Sequence, residues 1–255
     1  LAVSEDDKIE IIDIAKLKII DSINTGDDPE IFDIDPSGQI IVVSNEDDNE
    51  ATIINIKSKK IINVIKNVGI EPEGVSFTPD GKRVFITSEG TNSVIIIDPW
   101  NGKIINEVLV GNRPRRGVFL KNGKEYWVSN ELSASITVIN TENYKIIKNI
   151  LFAKKGIRKD DITPVDFAVS KNSNRVYVSL GSANHIAVVD TNKYEAVKYI
   201  LAGNRVWGAA LNSDESELIV TNGNSDDISI IDIESLSTKI SIPVGKTPHT
   251  VRILD

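Results

Sequence analysis

The sequence predicts an all-β fold, a β-propeller of four-stranded antiparallel blades. Three observations carry the prediction. Units that open on a turn, most of them at a proline, begin at residues 29, 72, 114, 164, 206 and 248, at spacings of 43, 42, 50, 42 and 42. Each full unit holds four short runs rich in Ile and Val, separated by turn residues such as "PDG", "KNG" or "NSD". No segment sustains the 3.6-residue apolar period of an amphipathic helix. β-Branched side chains are stiff and favour strands. A period of about 42 residues with four strands is the signature of propeller blades.

The elements follow in order. Residues 1–28 match the last three strands of a unit, and the whole units run over 29–71, 72–113, 114–163, 164–205 and 206–247. Residues 248–255 ("PHTVRILD") match only a first strand. The prediction is therefore six blades in one domain over 1–255, closed by strand 248–255 joining the N-terminal strands. Closure leaves no inner edge unpaired. A β-solenoid is the alternative, but its ends would not be complementary halves. The unit 114–163 is eight residues longer, in "LFAKKGIRKDDI" (151–162), and the extra length falls in the link to the next inner strand. Extra length on a face built from links points to binding.

Composition bounds the function. The formal charge of −8 argues against a general nucleic-acid binder. Residues 1–73 hold 17 acids against 7 Lys and no Arg, so the charge is polarised. No apolar run reaches the roughly 20 residues of a membrane span. There is no Cys, hence no disulfide or thiolate chemistry, and no Met even at position 1, which fits a chain that has lost a leader. P-loop, G-x-G-x-x-G and G-x-S-x-G motifs are absent, so no catalytic residue is expected. "SNEDDN" (44–49) lacks the Gly and distal Glu of an EF-hand and reads as a hairpin turn.

Two stretches begin Gly-Asn-Arg: "GNRPRR" at 111–116 and "GNRVWG" at 203–208. Both are links into an innermost strand, so both fall on one face, around the channel mouth. Residues following the turn position put Glu30, Glu73, Arg115, Trp207 and His249 there, beside Arg113, Arg116 and Arg205. Links between second and third strands add Glu46 and Glu89. These ten are the candidate ligand- or partner-binding residues. Two carboxylates ~9 Å apart repel by roughly 2 kcal/mol at an effective dielectric near 20. Arg115 across the channel, protonation, or a cation such as Ca²⁺ on Glu30 and Glu73 would offset this. Apart from such a cation, no cofactor is expected. The arginines suit either pairing with the facing Glu residues or a small anionic ligand. Trp207 has two roles open, stacking on a ligand or plugging the axis.

"YWVSN", "VYVSL", "IIVVSN" and "TPDGKRVFIT" resemble YVTN-type propeller repeats. The order "DDPE…SNEDDN", "EPEGV…TPDGK…TSEGTN", "VLVGNRPR…GKEYWVSNE", "ITPV…VSLGSANHIAVVD" and "YEAVKYILAGNRVWGAA" is similar to the β-propeller family associated with PQQ-dependent alcohol catabolism. The resemblance spans nearly all of the chain. It implies a periplasmic or otherwise exported, non-enzymatic binding or scaffold protein. Its implied partners are a quinoprotein dehydrogenase or that enzyme's cytochrome c. It also implies seven blades, so either one N-terminal blade is missing here or this is a six-blade variant. The blade motifs that dock tryptophans in the dehydrogenases themselves are absent, so PQQ is not expected as a ligand. A lactonase-like metal-dependent hydrolase and a cell-surface adhesion or structural propeller are the alternative functions.

Overall fold

The computed structural model describes residues 1–254 and shows a β-propeller of six antiparallel blades. The first blade holds β1 (Ala2–Val3), β2 (Lys8–Asp13) and β3 (Lys18–Asn24). The second holds β4 (Pro29–Ile34), β5 (Ile40–Asn45), β6 (Glu50–Asn55) and β7 (Lys60–Lys66). The third holds β8 (Pro72–Phe77), β9 (Val84–Ser88), β10 (Ser93–Asp98) and β11 (Lys103–Leu109). Next come β12 (Pro114–Leu120), β13 (Glu125–Asn130), β14 (Ser135–Asn140) and β15 (Ile146–Leu151). The fifth blade holds β16 (Phe167–Val169), β17 (Arg175–Ser179), β18 (His185–Asp190) and β19 (Glu195–Leu201). The last holds β20 (Val206–Leu211), β21 (Glu217–Asn222), β22 (Asp227–Asp232) and β23 (Ser237–Pro243).

Strands β4, β8, β12 and β20 open at the turn positions the repeat predicts. The exception is β16, which begins at Phe167, three residues after Pro164, and is only three residues long. The chain forms two compact units, Leu1–Gly123 and Lys124–Asp255.

Within each unit the core lies between neighbouring blades. In the first, Ile40, Val42 and Ile53 pack with Val84, Ile86 and Ile95. In the second, Tyr177, Ile186 and Val188 pack with Val206, Leu218 and Val220. The second and third strands of the second, third and fourth blades are buried on both faces, and their sequences are correspondingly rich in Ile and Val.

Each blade's outermost ladder carries a register shift at the same place, at Ile11/Ile12, Ile53/Ile54, Ile96/Ile97, Val138/Ile139, Val188/Val189 and Ile230/Ile231. A bulge twists an outer strand away from flat edge-to-edge pairing. The same strands expose pairs such as Ile61/Ile62 and Ile104/Ile105 to solvent. Lysines at their ends (Lys60, Lys66 and Lys103) blunt that edge further.

The expected strand at 248–255 needs correction. Residues 248–254 form no ladder, and Asp255 lies outside the described residues. His249, Thr250, Arg252 and Leu254 are exposed, so little burial orders this segment. It does lie along β20, where the Thr221 hydroxyl donates to the His249 carbonyl at 2.8 Å.

That contact is one case of a recurrent tie. The hydroxyls of Ser44, Thr87 and Ser129 donate in the same way to the carbonyls of Glu73, Arg115 and Val165. Glycine is required beside two of these crossings. A Cβ on Gly74 would sit 2.5 Å from the Arg115 carbonyl oxygen, and one on Gly208 would sit 2.7 Å from that of His249.

Candidate functional site

The links at five of the six turn positions share one geometry. The residue before the turn position is left-handed at Asp28, Glu71, Arg113, Arg205 and Thr247, with φ between 49° and 57°. Each of these backbone N–H groups donates to a side chain on the second hairpin of the preceding blade. The acceptors are Asp7, Asn49, Asn92, Asn184 and Asp226, at 3.1, 3.0, 2.8, 2.8 and 2.8 Å. Asp and Asn tolerate the left-handed region that these acceptors themselves occupy. The latch fixes where the link turns, and so where the side chains on either side of the turn position project. The corresponding left-handed residue of the fourth blade is Ala134, which has no acceptor, and there the link to the next blade is the long one.

The ten candidates divide between the units. In the first unit the structure gathers Glu30, Glu46, Glu73, Glu89, Arg113 and Arg115. The Arg115 guanidinium reaches Glu73 at 3.1 Å through one nitrogen and Glu89 through the other. Glu89 also accepts from Arg113 Nε at 2.5 Å. Glu73, Glu89 and Arg115 are 1, 4 and 7% exposed, so this is a buried ionic cluster rather than a solvated rim. Of the two roles open to Arg113 and Arg115, the structure shows pairing with carboxylates of the same unit. Arg116 is buried as well. Of the three arginines in "GNRPRR", Arg115 and Arg116 are buried and Arg113 is exposed.

The carboxylates outnumber the cations that meet them. Burial, then Glu73, Glu46 and Asp28, push the Glu30 carboxyl up to about 8, against the pull of Arg115. Burial, then Glu73, Glu89 and Asp28, push Glu46 up to about 7, again opposed by Arg115. Like charges confined in a partly dry site favour the protonated form. Two carboxylate triads, Asp28–Glu30–Glu46 and Glu46–Glu71–Glu89, bring one oxygen from each member within 4.8 Å of the others. Oxygen donors at this density suit a hard cation such as Ca²⁺. Glu73, expected beside Glu30 as a cation ligand, is in neither triad and faces Arg115 instead. Asp28 and Glu71, the left-handed link residues, complete the triads.

In the second unit Arg205, Trp207 and His249 form a stack. The Arg205 guanidinium lies 4.5 Å from the Trp207 ring centroid, and the His249 ring lies 4.9 Å from it at 46°. Arg205 also donates to the Ser182 hydroxyl at 2.8 Å and to the buried Glu131 at 3.1 Å. Trp207 thus has an intramolecular neighbour on its π surface already, which disfavours it as an open platform for a ligand. Sequence reasoning missed the Glu131 contact because its two residues are 74 positions apart. The insertion folds into a short turn of 3₁₀ helix at Lys159–Asp161, with Arg158 bidentate to Asp161 at 2.8 Å on both arms.

The model of the choice-of-anchor I domain matches residues 55–218, well over half of the chain. The chain belongs to the choice-of-anchor I domain family. The family points to an exported or surface-anchored setting and a binding role. No curated protein matches the sequence. Kuenenia stuttgartiensis hydrazine synthase is similar in fold, with a TM-score of 0.75 over 87% of this chain and 67% of that chain, at 17% identity. Likeness at that identity concerns the fold alone. Solved chains that match number 1632, so the propeller by itself selects no activity. The finer resemblance to YVTN-type and PQQ-associated propellers rests on the motifs alone. Among the described residues no helix is long and apolar enough to cross a membrane.

Proposed function

We propose that this chain is a non-enzymatic recognition module of an exported protein, and that the carboxylate cluster around Arg115 docks a cationic partner. One observation carries the reading: Glu30, Glu46, Glu73 and Glu89 share Arg115, and two of them are driven toward the neutral form by crowding and burial. A lysine or arginine side chain brought to this cluster supplies the missing positive charge. Glu30 and Glu46 then ionise, so docking releases protons and strengthens as pH rises. Burial makes the pairing with the newcomer stronger than at an open surface. The partner we propose from the motif resemblance is a quinoprotein alcohol dehydrogenase or its cytochrome c in the periplasm. An acidic face complements the basic docking patch such a partner would present.

The test is calorimetric titration of the protein with a lysine-rich c-type cytochrome at low and moderate salt. Glu30→Gln/Glu46→Gln is expected to weaken binding by about tenfold, the equivalent of ~1.4 kcal/mol. Equal affinity for the variant, with no proton release, overturns the reading. The two carboxylate triads favour a second reading, a site for Ca²⁺ that supports lactone hydrolysis. Under that reading Ca²⁺ raises the melting temperature of the wild type and not of the variant, and lactone turnover depends on the ion. No shift and no turnover ends it.

A further inference from the structure

A separate cavity of about 390 Å³ lies in the second unit, lined by Ser170, Asn172, Asn174, Arg175, Tyr177, Leu211, Glu215 and Ile233. It sits at the far end of β20 from Trp207: the strand starts at Val206, beside the latched link, and ends at Leu211 in the cavity wall. Two hairpins, 170–174 and 212–216, form its rim. They are held together by Lys171, whose backbone N–H donates to Glu215 and whose ammonium donates to the Ser213 carbonyl.

The lining has three chemistries. Leu211 and Ile233 supply a half-buried aliphatic wall. Arg175 brings one positive charge, placed against the Tyr177 hydroxyl, where it opposes the upward push of burial on that phenol. Glu215 brings one negative charge. Arg175 and Glu215 line the same space, yet no ion pair joins them among the described residues. Asn172 and Asn174 line the same space and add hydrogen-bonding groups.

This set excludes several occupants. One carboxylate is too few for a hard divalent cation. A single arginine opposed by a glutamate does not suit a polyanion. The volume lies at the lower end of the range for ligand pockets, so the occupant is small. We propose that this cavity binds a small zwitterion with an aliphatic body, the chemistry of a free α-amino acid such as leucine. Its carboxylate pairs with Arg175, its ammonium with Glu215, and its side chain covers Leu211 and Ile233. Each charge on the ligand meets the charge that the protein leaves without an opposite partner across the gap.

The experiment is a two-dimensional NMR titration of the whole chain with L-leucine, N-acetyl-leucine amide and glucose, up to about 10 mM, the range of a weak small-molecule site. The expected result is saturable shifts confined to residues 170–177, 211–216 and 233 with leucine alone. Arg175→Gln and Glu215→Gln, each checked for an unchanged melting temperature, weaken binding by about tenfold or more. The proposal is overturned by no shift with leucine. Equal binding of the capped amide, which would mark a merely apolar pocket, also overturns it, as does a preference for glucose, which would mark a neutral polyol site. Should one variant fail to fold, the other still decides. The test is independent of the carboxylate cluster, whose variants leave this cavity intact.

Discussion

Arg113 and Arg205 occupy the same place in the repeat, and the molecule uses them differently. Both are left-handed, both precede the turn position of a blade, and both have their N–H accepted by an asparagine at 2.8 Å. Arg113 enters a cluster in which carboxylates are in excess. Arg205 lies across Trp207 and meets one buried carboxylate, Glu131. Two residues further on, the first unit has Arg115 and the second has Trp207. The frame is therefore generic, and single side chains mounted on it decide whether a region is an ionic cluster or an aromatic stack.

The largest test of that contrast removes Arg115. Arg115→Gln leaves Glu73 and Glu89 buried without their shared guanidinium, a loss of about 3–5 kcal/mol by analogy with broken buried pairs. Urea unfolding at pH 8 should show it. At pH 5 the deficit should shrink, because the stranded carboxylates can take up protons. A deficit that is the same at both pH values breaks the distinction between an ionic cluster and a packing contact.

A smaller effect comes from Glu30. Its folded value of about 8 lies above the ordinary 4.5, so between those limits the native state holds a proton that the unfolded chain releases. Stability therefore falls as pH rises through this window. Glu30→Gln should flatten the fall and leave the variant more stable above pH 8, by about 1–2 kcal/mol after allowance for solvent screening. Guanidinium unfolding across pH 5–9 measures it. A wild-type curve that rises over that range contradicts the charge excess.

The smallest effect sharpens the shared frame. Asn92→Ala and Asn184→Ala each remove one latch bond, worth about 1 kcal/mol. Asn184 also donates from Nδ2 to Asn204 at 3.3 Å, so its loss should match or slightly exceed that of Asn92 by thermal unfolding. A clearly larger loss at Asn92 would mean that the side chains on its link help to hold it.

Much of the fold was legible because the blade repeat writes its turns in the sequence. The turn positions at 29, 72, 114 and 206 coincide with strand starts, and the Ile/Val runs are the strands buried on both faces. The candidate site was legible only as membership. The residues named for the mouth do include the cluster and the stack, but their burial was not readable. Whether an arginine beside a proline faces solvent or two glutamates depends on partners 26 and 42 residues away. The latch has a sequence signal in principle, an Asp or Asn 21 or 22 residues before each link residue. It hides because Asp and Asn are ordinary in hairpins for a local reason, their tolerance of left-handed backbone. The missing ladder at 248–254 was equally hidden, since a matching pattern of residues does not guarantee enough burial to hold a terminal segment.

The alanine at position 134 gives the molecule a seam. The links at the other five turn positions are latched by an Asp or Asn side chain; this one is not, and it carries an excursion whose two ends are anchored by buried Phe152 and Ile162. Loop length costs little once the ends are fixed. An engineer wishing to splice a reporter, a tag or a second binding domain into this scaffold would cut at Gly156, in the long connection whose hairpin offers an alanine in place of the latch.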